Sequence, residues 1–163
     1  MPRGLVSVTI ATPAGALRIM TTHLEYSSPV LRAAQIEAIR AFHRQCCQRV
    51  AMPPKPGKGS YTPQMETTSA ILVGDFNMPP DEPNRQRLMD PHSESGISTF
   101  RDAFEIVHPG VAHPASMCLF DQADGPPRCL DYAFCTEELT ATLKSVTYDQ
   151  VSRASDHQPL IID

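Results

Sequence analysis

No stretch of this chain approaches the roughly 20 consecutive apolar residues that a membrane-spanning helix needs. Met1-Pro2-Arg3-Gly4 leads into alternating residues, without the apolar core of a secretory leader. The five cysteines are few and unpatterned, with no C-x-x-C pair and with Cys46 and Cys47 adjacent. An odd, scattered set argues against a disulfide framework and for reduced thiols, so a cytoplasmic setting is expected. Basic charge is not in excess either. The net charge of −4 leaves no electrostatic footprint for a duplex nucleic-acid binder, although an enzyme that touches few phosphates needs none. Three chemistries lack their signatures. The glycines near Lys55 and Lys58 do not fit the phosphate-loop spacing. Neither H-E-x-x-H nor a Cys/His cluster supports zinc, and no G-x-S-x-G supports a serine hydrolase. No internal repeat is visible.

What is present is one ordinary domain. At 163 residues, with 41% hydrophobic and 20% charged residues, the chain can bury a real core. Residues 5–10 are β-branched and half alternating and read as a strand. Thr12-Pro13-Ala14-Gly15 turns the chain into a second strand over 16–22, closed by His23-Leu24-Glu25. Ser28 as N-cap and Pro29 at the first helical position open a helix over 29–49. Leu31, Ala34, Ala38, Phe42 and Cys46, with Ile39 beside them, give it an apolar stripe, while Arg32, Glu37, Arg40 and Arg44 read as a solvated face. Residues 52–66 form a polar, proline-rich surface loop in which Lys55 and Lys58 could meet an anionic substrate or simply be solvated. Short helices are expected over 83–89, with Asp81 near the start, and over 99–107, with Ala103, Phe104 and Val107 inward. Residues 111–127 read as irregular. Strands are expected over 129–134, 143–148 and 160–162.

The chain is organised around Ile71-Leu72-Val73-Gly74-Asp75-Phe76-Asn77, an apolar run that Gly and Met78-Pro79-Pro80 end sharply. Asp75 and Asn77 stand at i and i+2, which in an extended backbone puts both side chains on one side. They could contact a metal-bound water and a phosphate oxygen, or they could be turn formers. Asp131 lies inside an apolar strand, and a buried acid costs several kcal/mol unless paired or metal-bound. His157 beside it would satisfy both, with the carboxylate fixing the imidazole tautomer. Asp156 would then be free to hold a hard cation, and carboxylate and amide oxygens select Mg²⁺ or Mn²⁺.

Thr22-His23-Leu24-Glu25, Gly74-Asp75-Phe76-Asn77, Leu130-Asp131-Tyr132-Ala133-Phe134 and Ser155-Asp156-His157-Gln158-Pro159 resemble, in order, motifs of the endonuclease/exonuclease/phosphatase superfamily of deoxyribonuclease-like, metal-dependent phosphoesterases. The helix after Glu25, with Arg32, Gln35 and Ile39, is similar to a bacterial branch with a T-T-H-L-E signature. The resemblance implies an α/β (α+β) fold, a four-layer sandwich of two mixed β-sheets with flanking helices, and this chain resembles its C-terminal half. It implies that Asp156 binds metal, that His157 is the catalytic histidine and Asp131 its orienting partner. Asp75 and Asn77 resemble the pair contacting the nucleophilic water, the metal and the scissile phosphate, and His23 a histidine at the edge of the site. The family's metal-binding glutamate and a preceding asparagine belong to an N-terminal half whose motifs are not found here. Residues 1–163 are therefore expected to form a partial domain that needs that half as its partner.

The expected activity is hydrolysis of a phosphoester by in-line attack of water, with Mg²⁺ or Mn²⁺ neutralising charge on the phosphoryl oxygens. Two other readings share the same residues: a non-catalytic remnant that binds a partner or complements the missing half, and an ordinary α/β domain whose acids form turns. Nucleic acid, phospholipid head groups, inositol phosphates and small phosphodiesters all remain candidate substrates. The loops over 52–66 and 111–127 are expected to choose among them, and neither carries a platform of aromatic and basic residues.

Overall fold

A computed structural model describes residues 3–55, 57–59, 62 and 64–163. Seven strands and three α-helices follow in the order β1 (Leu5–Thr12), β2 (Gly15–His23), α1 (Pro29–Ala51), β3 (Ala70–Asp75), α2 (Pro83–Met89), β4 (Phe100–Asp102), α3 (Ala103–Val107), β5 (Asp131–Thr136), β6 (Val146–Tyr148) and β7 (Leu160–Ile162). A 3-10 helix covers Glu137–Thr142. The first five strands form a mixed sheet in the order β1-β2-β3-β5-β4, and β6 pairs with β7 separately. The β2–β3 pair is parallel, with α1 as its crossover. The other pairs are antiparallel.

One sheet face is filled by side chains from the helices. Met20, Leu72, Tyr132, Phe134 and Phe100 share the core with Ile36 and Ile39 of α1 and Leu88 and Met89 of α2. Ser28 caps α1 as expected, its Oγ accepting the Leu31 N–H. The expected solvated arginine face is different in fact. Arg32 and Arg40 are buried. Arg32 donates through Nε to Glu82 at 3.0 Å and through Nη1 to the carbonyls of Glu25 and Tyr26. Arg40 donates to the carbonyls of Leu88 and Asp90. A planar fork of donors satisfied by carbonyls can be buried where a solvated charge cannot. Gln35 Oε1 accepts the Glu25 N–H at 2.9 Å, so α1 clamps the chain just after His23. The helix expected over 99–107 is instead β4 followed by α3. Asp102 closes the strand by accepting the N–H groups of Phe104 and Glu105, which starts the helix.

His43 of α1 is fully buried between Arg18 and Ser98. Burial first, and then the Arg18 charge, lower its pKa to about 4. A folded-state pKa below the unfolded value means that the neutral imidazole supports the fold above about pH 6.5, and that this support is lost as pH falls toward 4. It amounts to about 3 kcal/mol at full extent. Urea midpoints at pH 7.5 and 4.5 should therefore differ more for the natural chain than for His43→Gln. Equal differences would contradict the assignment.

The other sheet face is apolar and partly open. Val8, Ile19, Ile71 and Cys135 align in one cross-strand row, and Val6, Thr21, Val73 and Ala133 in the next. Cys135 and Ala133 are buried, whereas Val6, Val8 and Ile10 are 68%, 53% and 42% exposed. β1 carries no charge or proline that would blunt it. Such a surface favours association. The chain is expected to self-associate at micromolar concentration, and Val6→Lys with Val8→Lys should shift it toward the monomer in sedimentation. An unchanged monomer in both would contradict this.

No helix among the described residues is long and apolar enough to cross a membrane. All five cysteines are free and buried.

Candidate active site

The next row on that open face is polar. Strand register places His23 of β2 beside Asp75 of β3, and Asp75 beside Asp131 of β5. Residues far apart in sequence thus stand side by side at one end of the sheet, continuing two apolar rows. His23 Nε2 lies 3.2 Å from Asp75 Oδ2. His157 joins them from the loop before β7, its Nδ1 2.8 Å from Asp131 Oδ2 and its Nε2 4.0 Å from Asp75 Oδ2. The Asp75 carboxylate therefore stands between two imidazoles. Burial opposes charge on His157, but the hydrogen bond and charge of Asp131, with Asp75 and Asp156 behind it, outweigh burial and raise its pKa. Burial likewise raises the Asp131 carboxyl, against the hydrogen bonds from Ser116 and His157.

Asp75 and Asn77 are neighbours for a different reason from the expected strand alternation. β3 ends at Asp75, and Asn77 turns into a left-handed conformation with φ +50°. Asp75 Oδ1 accepts the Asn77 N–H at 2.8 Å, so Asp75 is a turn former as well as a member of the row. Asn77 Nδ2 donates to the Leu24 carbonyl at 3.0 Å. Between them Phe76 is fully buried, edge-on to Tyr132 and Phe134. Gly74 holds the strands close. A Cβ there would fall 1.9 Å from the Thr22 carbonyl oxygen, and φ is +141°.

Ser116 is a residue that sequence reasoning missed. It is fully buried. Its Oγ donates to Asp131 Oδ2 at 2.7 Å and accepts the N–H groups of Leu130 and Asp131. Its backbone carbonyl accepts the Gln158 N–H, and Met117 bridges to both Arg128 and His157. Tyr148 adds a bond from its hydroxyl to the Asp131 carbonyl at 2.8 Å. Nothing in the irregular residues around Ser116 marked it, because the partners are distant in sequence.

Asp156 is exposed, its Oδ1 accepting the Ser155 hydroxyl. Hydrogen bonds from its own backbone N–H and from Ser155 lower its pKa. Among the described residues it belongs to no group of three ligands around Asp75. Among the described residues, the three acidic, His or Cys side chains whose donor atoms lie within 4.8 Å of one another are Asp102, Glu105 and His113. That place is already taken by a cation. Arg85 Nη2 is 2.8 Å from Asp102 Oδ2 and 2.5 Å from Glu105 Oε1. Burial would raise the Asp102 carboxyl, but His113 and Arg85 outweigh it and lower the pKa. The cluster is an ion-pair network, buried at Arg85 and Asp102 and exposed at Glu105, that fixes α2 to β4. The segment holding Lys55 and Lys58 leads into β3 at Ala70, about 17 Å along the extended strand from Asp75.

The description "Endonuclease/Exonuclease/phosphatase family" belongs to a family model that matches residues 47–157, which include Asp75, Asn77, Asp131, Asp156 and His157. The chain belongs to the endonuclease/exonuclease/phosphatase family. Solved structures of similar fold agree. An endonuclease/exonuclease/phosphatase from Bacteroides vulgatus matches over 98% of this chain and 54% of its own, at 17% identity and a TM-score of 0.64. A Neisseria 3' phosphatase, NExo, bound to product DNA hairpin matches over 96% and 63%, at 17% identity and a TM-score of 0.61. Truncated TDP2 of Caenorhabditis elegans matches over 97% and 58%, at 16% identity and a TM-score of 0.59. The chain thus spans little more than half the length of these members of the fold. No curated protein matches it significantly in sequence.

Proposed function

We propose that this chain carries the histidine-bearing part of a divalent-metal-dependent phosphoesterase active site, working with an N-terminal part of the fold. The observation that carries this reading is the row His23–Asp75–Asp131 with His157 against it. With Nδ1 bonded to Asp131, His157 presents Nε2 toward Asp75, where it can donate to charge developing on a phosphoryl oxygen. Asp75 accepts a proton from the attacking water, and Asn77 holds the turn that aims Asp75. The leaving alkoxide departs in line and takes its proton from solvent. The available donors, Asp156, Asp75 and the Asn77 carboxamide oxygen, are hard oxygens that fit Mg²⁺ or Mn²⁺. Bound there, such an ion would neutralise charge on the phosphate. Further ligands, including a glutamate, would come from the N-terminal part. The five free thiols suit a reducing compartment, and we place the protein in the cytoplasm.

The open apolar face and the incomplete ligand set also fit the second reading, a chain that acts only as a complementation partner. One experiment separates them. The chain is combined with the N-terminal part of a family member and assayed on a chromogenic phosphodiester. Turnover abolished by EDTA and restored by Mg²⁺ or Mn²⁺ is expected, and Asp156→Ala should raise the Mg²⁺ needed about tenfold or more. Turnover indifferent to EDTA, or an unchanged metal titration in Asp156→Ala, would contradict the assignment. No turnover in any combination would favour the complementation reading.

A further inference from the structure

At the other end of the sheet lies a feature that the proposed chemistry does not use. Arg18 of β2 pairs in register with Ala70, where β3 begins, and so stands about 17 Å from Asp75. Its side chain is 1% exposed. One nitrogen, Nη2, donates to Nδ1 of His43 at 3.0 Å. His43 donates in turn from Nε2 to the Ser98 carbonyl at 2.8 Å, so its neutral form is the one that fits here. Arg18 Nε and Nη1 are buried and, among the described residues, have no hydrogen-bond partner. The nearest carboxylate oxygen, Glu66 Oε2, is 4.0 Å from Nη1.

A guanidinium taken out of water needs an opposite charge in contact, or it destabilises the fold. Glu66 does not make that contact, because its other oxygen is 3.4 Å from Arg49 Nη1. One carboxylate is thus stretched between two arginines. These three side chains line a groove of about 500 Å³ between the β1–β2 hairpin and the C-terminal half of α1, with Phe42, Cys46 and Gln64 on its walls. The groove holds two positive charges against one negative, and its buried cation faces the weakest of its contacts.

We propose that this groove is a second ligand site, taking a phosphate-type oxyanion onto Arg18 with Arg49 at the rim and Glu66 as the group it displaces. A tetrahedral oxyanion can accept from Arg18 and Arg49 together, which one Glu66 carboxylate does only at 4.0 and 3.4 Å. Phe42 and Met65 beside the arginines leave room for an organic body on that anion. The site lies on the helix-covered side of the sheet, away from the polar row. Its ligand would therefore bind independently of substrate.

The test is a titration of the metal-free chain with inorganic phosphate and with phenylphosphonate at constant ionic strength, read by NMR at the Arg18 Nε–H and the His43 ring. Both signals are too far from Asp75 to respond to phosphate bound there. Saturable shifts are expected. Glu66→Gln, which removes the competing charge, should tighten binding about tenfold, and Arg49→Gln should weaken it by a similar factor. Tighter binding of phenylphosphonate would identify an organic phosphate as the natural class. Equal binding would identify the free ion. Absence of shifts at Arg18 and His43 with both anions would overturn the proposal. So would Glu66→Gln lowering the unfolding midpoint without strengthening phosphate binding, since Glu66 would then be the permanent counter-charge.

Discussion

Asp131→Asn, in the chain combined with the N-terminal part of a family member, should remove nearly all the turnover that His157→Ala removes, each on the order of 10³-fold or more. Asp131 Oδ2 accepts from both Ser116 Oγ and His157 Nδ1, at 2.7 and 2.8 Å. An amide offers one acceptor oxygen. If its NH₂ faces His157, Nδ1 must present its lone pair, and Nε2 can then donate only from a neutral ring, because an imidazolium would set Nδ1–H against the amide hydrogens. If its oxygen faces His157, the charge that stabilises the imidazolium is still absent. Either way His157 loses its function while remaining in place. The double variant should therefore be little worse than either single one, because residues acting as a unit are strongly non-additive. Losses that multiply in the cycle would show that the two act separately. Ser116→Ala offers an internal comparison, since it leaves Asp131 charged but removes the hydroxyl that the Leu130 and Asp131 N–H groups share.

Gly74→Ala should destabilise the fold by about 3 kcal/mol or more. The added methyl meets a backbone carbonyl oxygen at 1.9 Å, which cannot swing aside as a side chain would. The φ of +141° also belongs to a region that residues with a Cβ rarely enter. Relief requires β2 and β3 to separate at Thr22, one residue from the His23–Asp75 pair. Gly110→Ala is the matched control. Gly110 also has positive φ, +78°, but nothing lies within 4 Å of its Cβ position, so only the conformational strain of about 1–2 kcal/mol applies. Denaturant midpoints measure both. A Gly74→Ala midpoint no lower than that of Gly110→Ala would rule out the close approach as the reason for glycine there.

The sequence made the elements with strong local signals legible. Thr12-Pro13-Ala14-Gly15 announced the hairpin, Ser28-Pro29 announced α1, and Pro83 began α2 where expected. Membership of the family and the α/β class were legible too, because four short motifs stood in order. What periodicity could not show was polar burial. Arg32 and Arg40 look solvent-facing in a helical pattern, and partners brought in by the tertiary fold, Glu82 with the carbonyls of Glu25 and Tyr26 for one and the carbonyls of Leu88 and Asp90 for the other, make them buried groups. Asp102 reads as one more residue of a helix until β4 pairs with β5 and turns it into a cap. The nearness of Asp75 to Asn77 was anticipated from alternation, but an Asx-type turn produces it. Ser116 gave no signal at all, because its partners are assembled by a bridge between irregular segments. Lys55 and Lys58 read either as contacts for an anionic substrate or as solvated, and their segment enters β3 at Ala70, the end opposite Asp75.

The polar row is held by strand register, and this has a consequence for how related genes can change. Side chains alternate along β3, so inserting or deleting one codon within it would carry Asp75 to the helix-covered face and bring an apolar neighbour into the row. The same holds for β2 and β5, which carry His23 and Asp131. The described residues between α1 and β3 lie outside the strands, so a codon gained or lost there leaves this register unchanged. A deep insertion–deletion scan should therefore be sharply uneven, with single-codon changes tolerated in the connector ahead of Gln64 and lethal to activity within β2, β3 and β5.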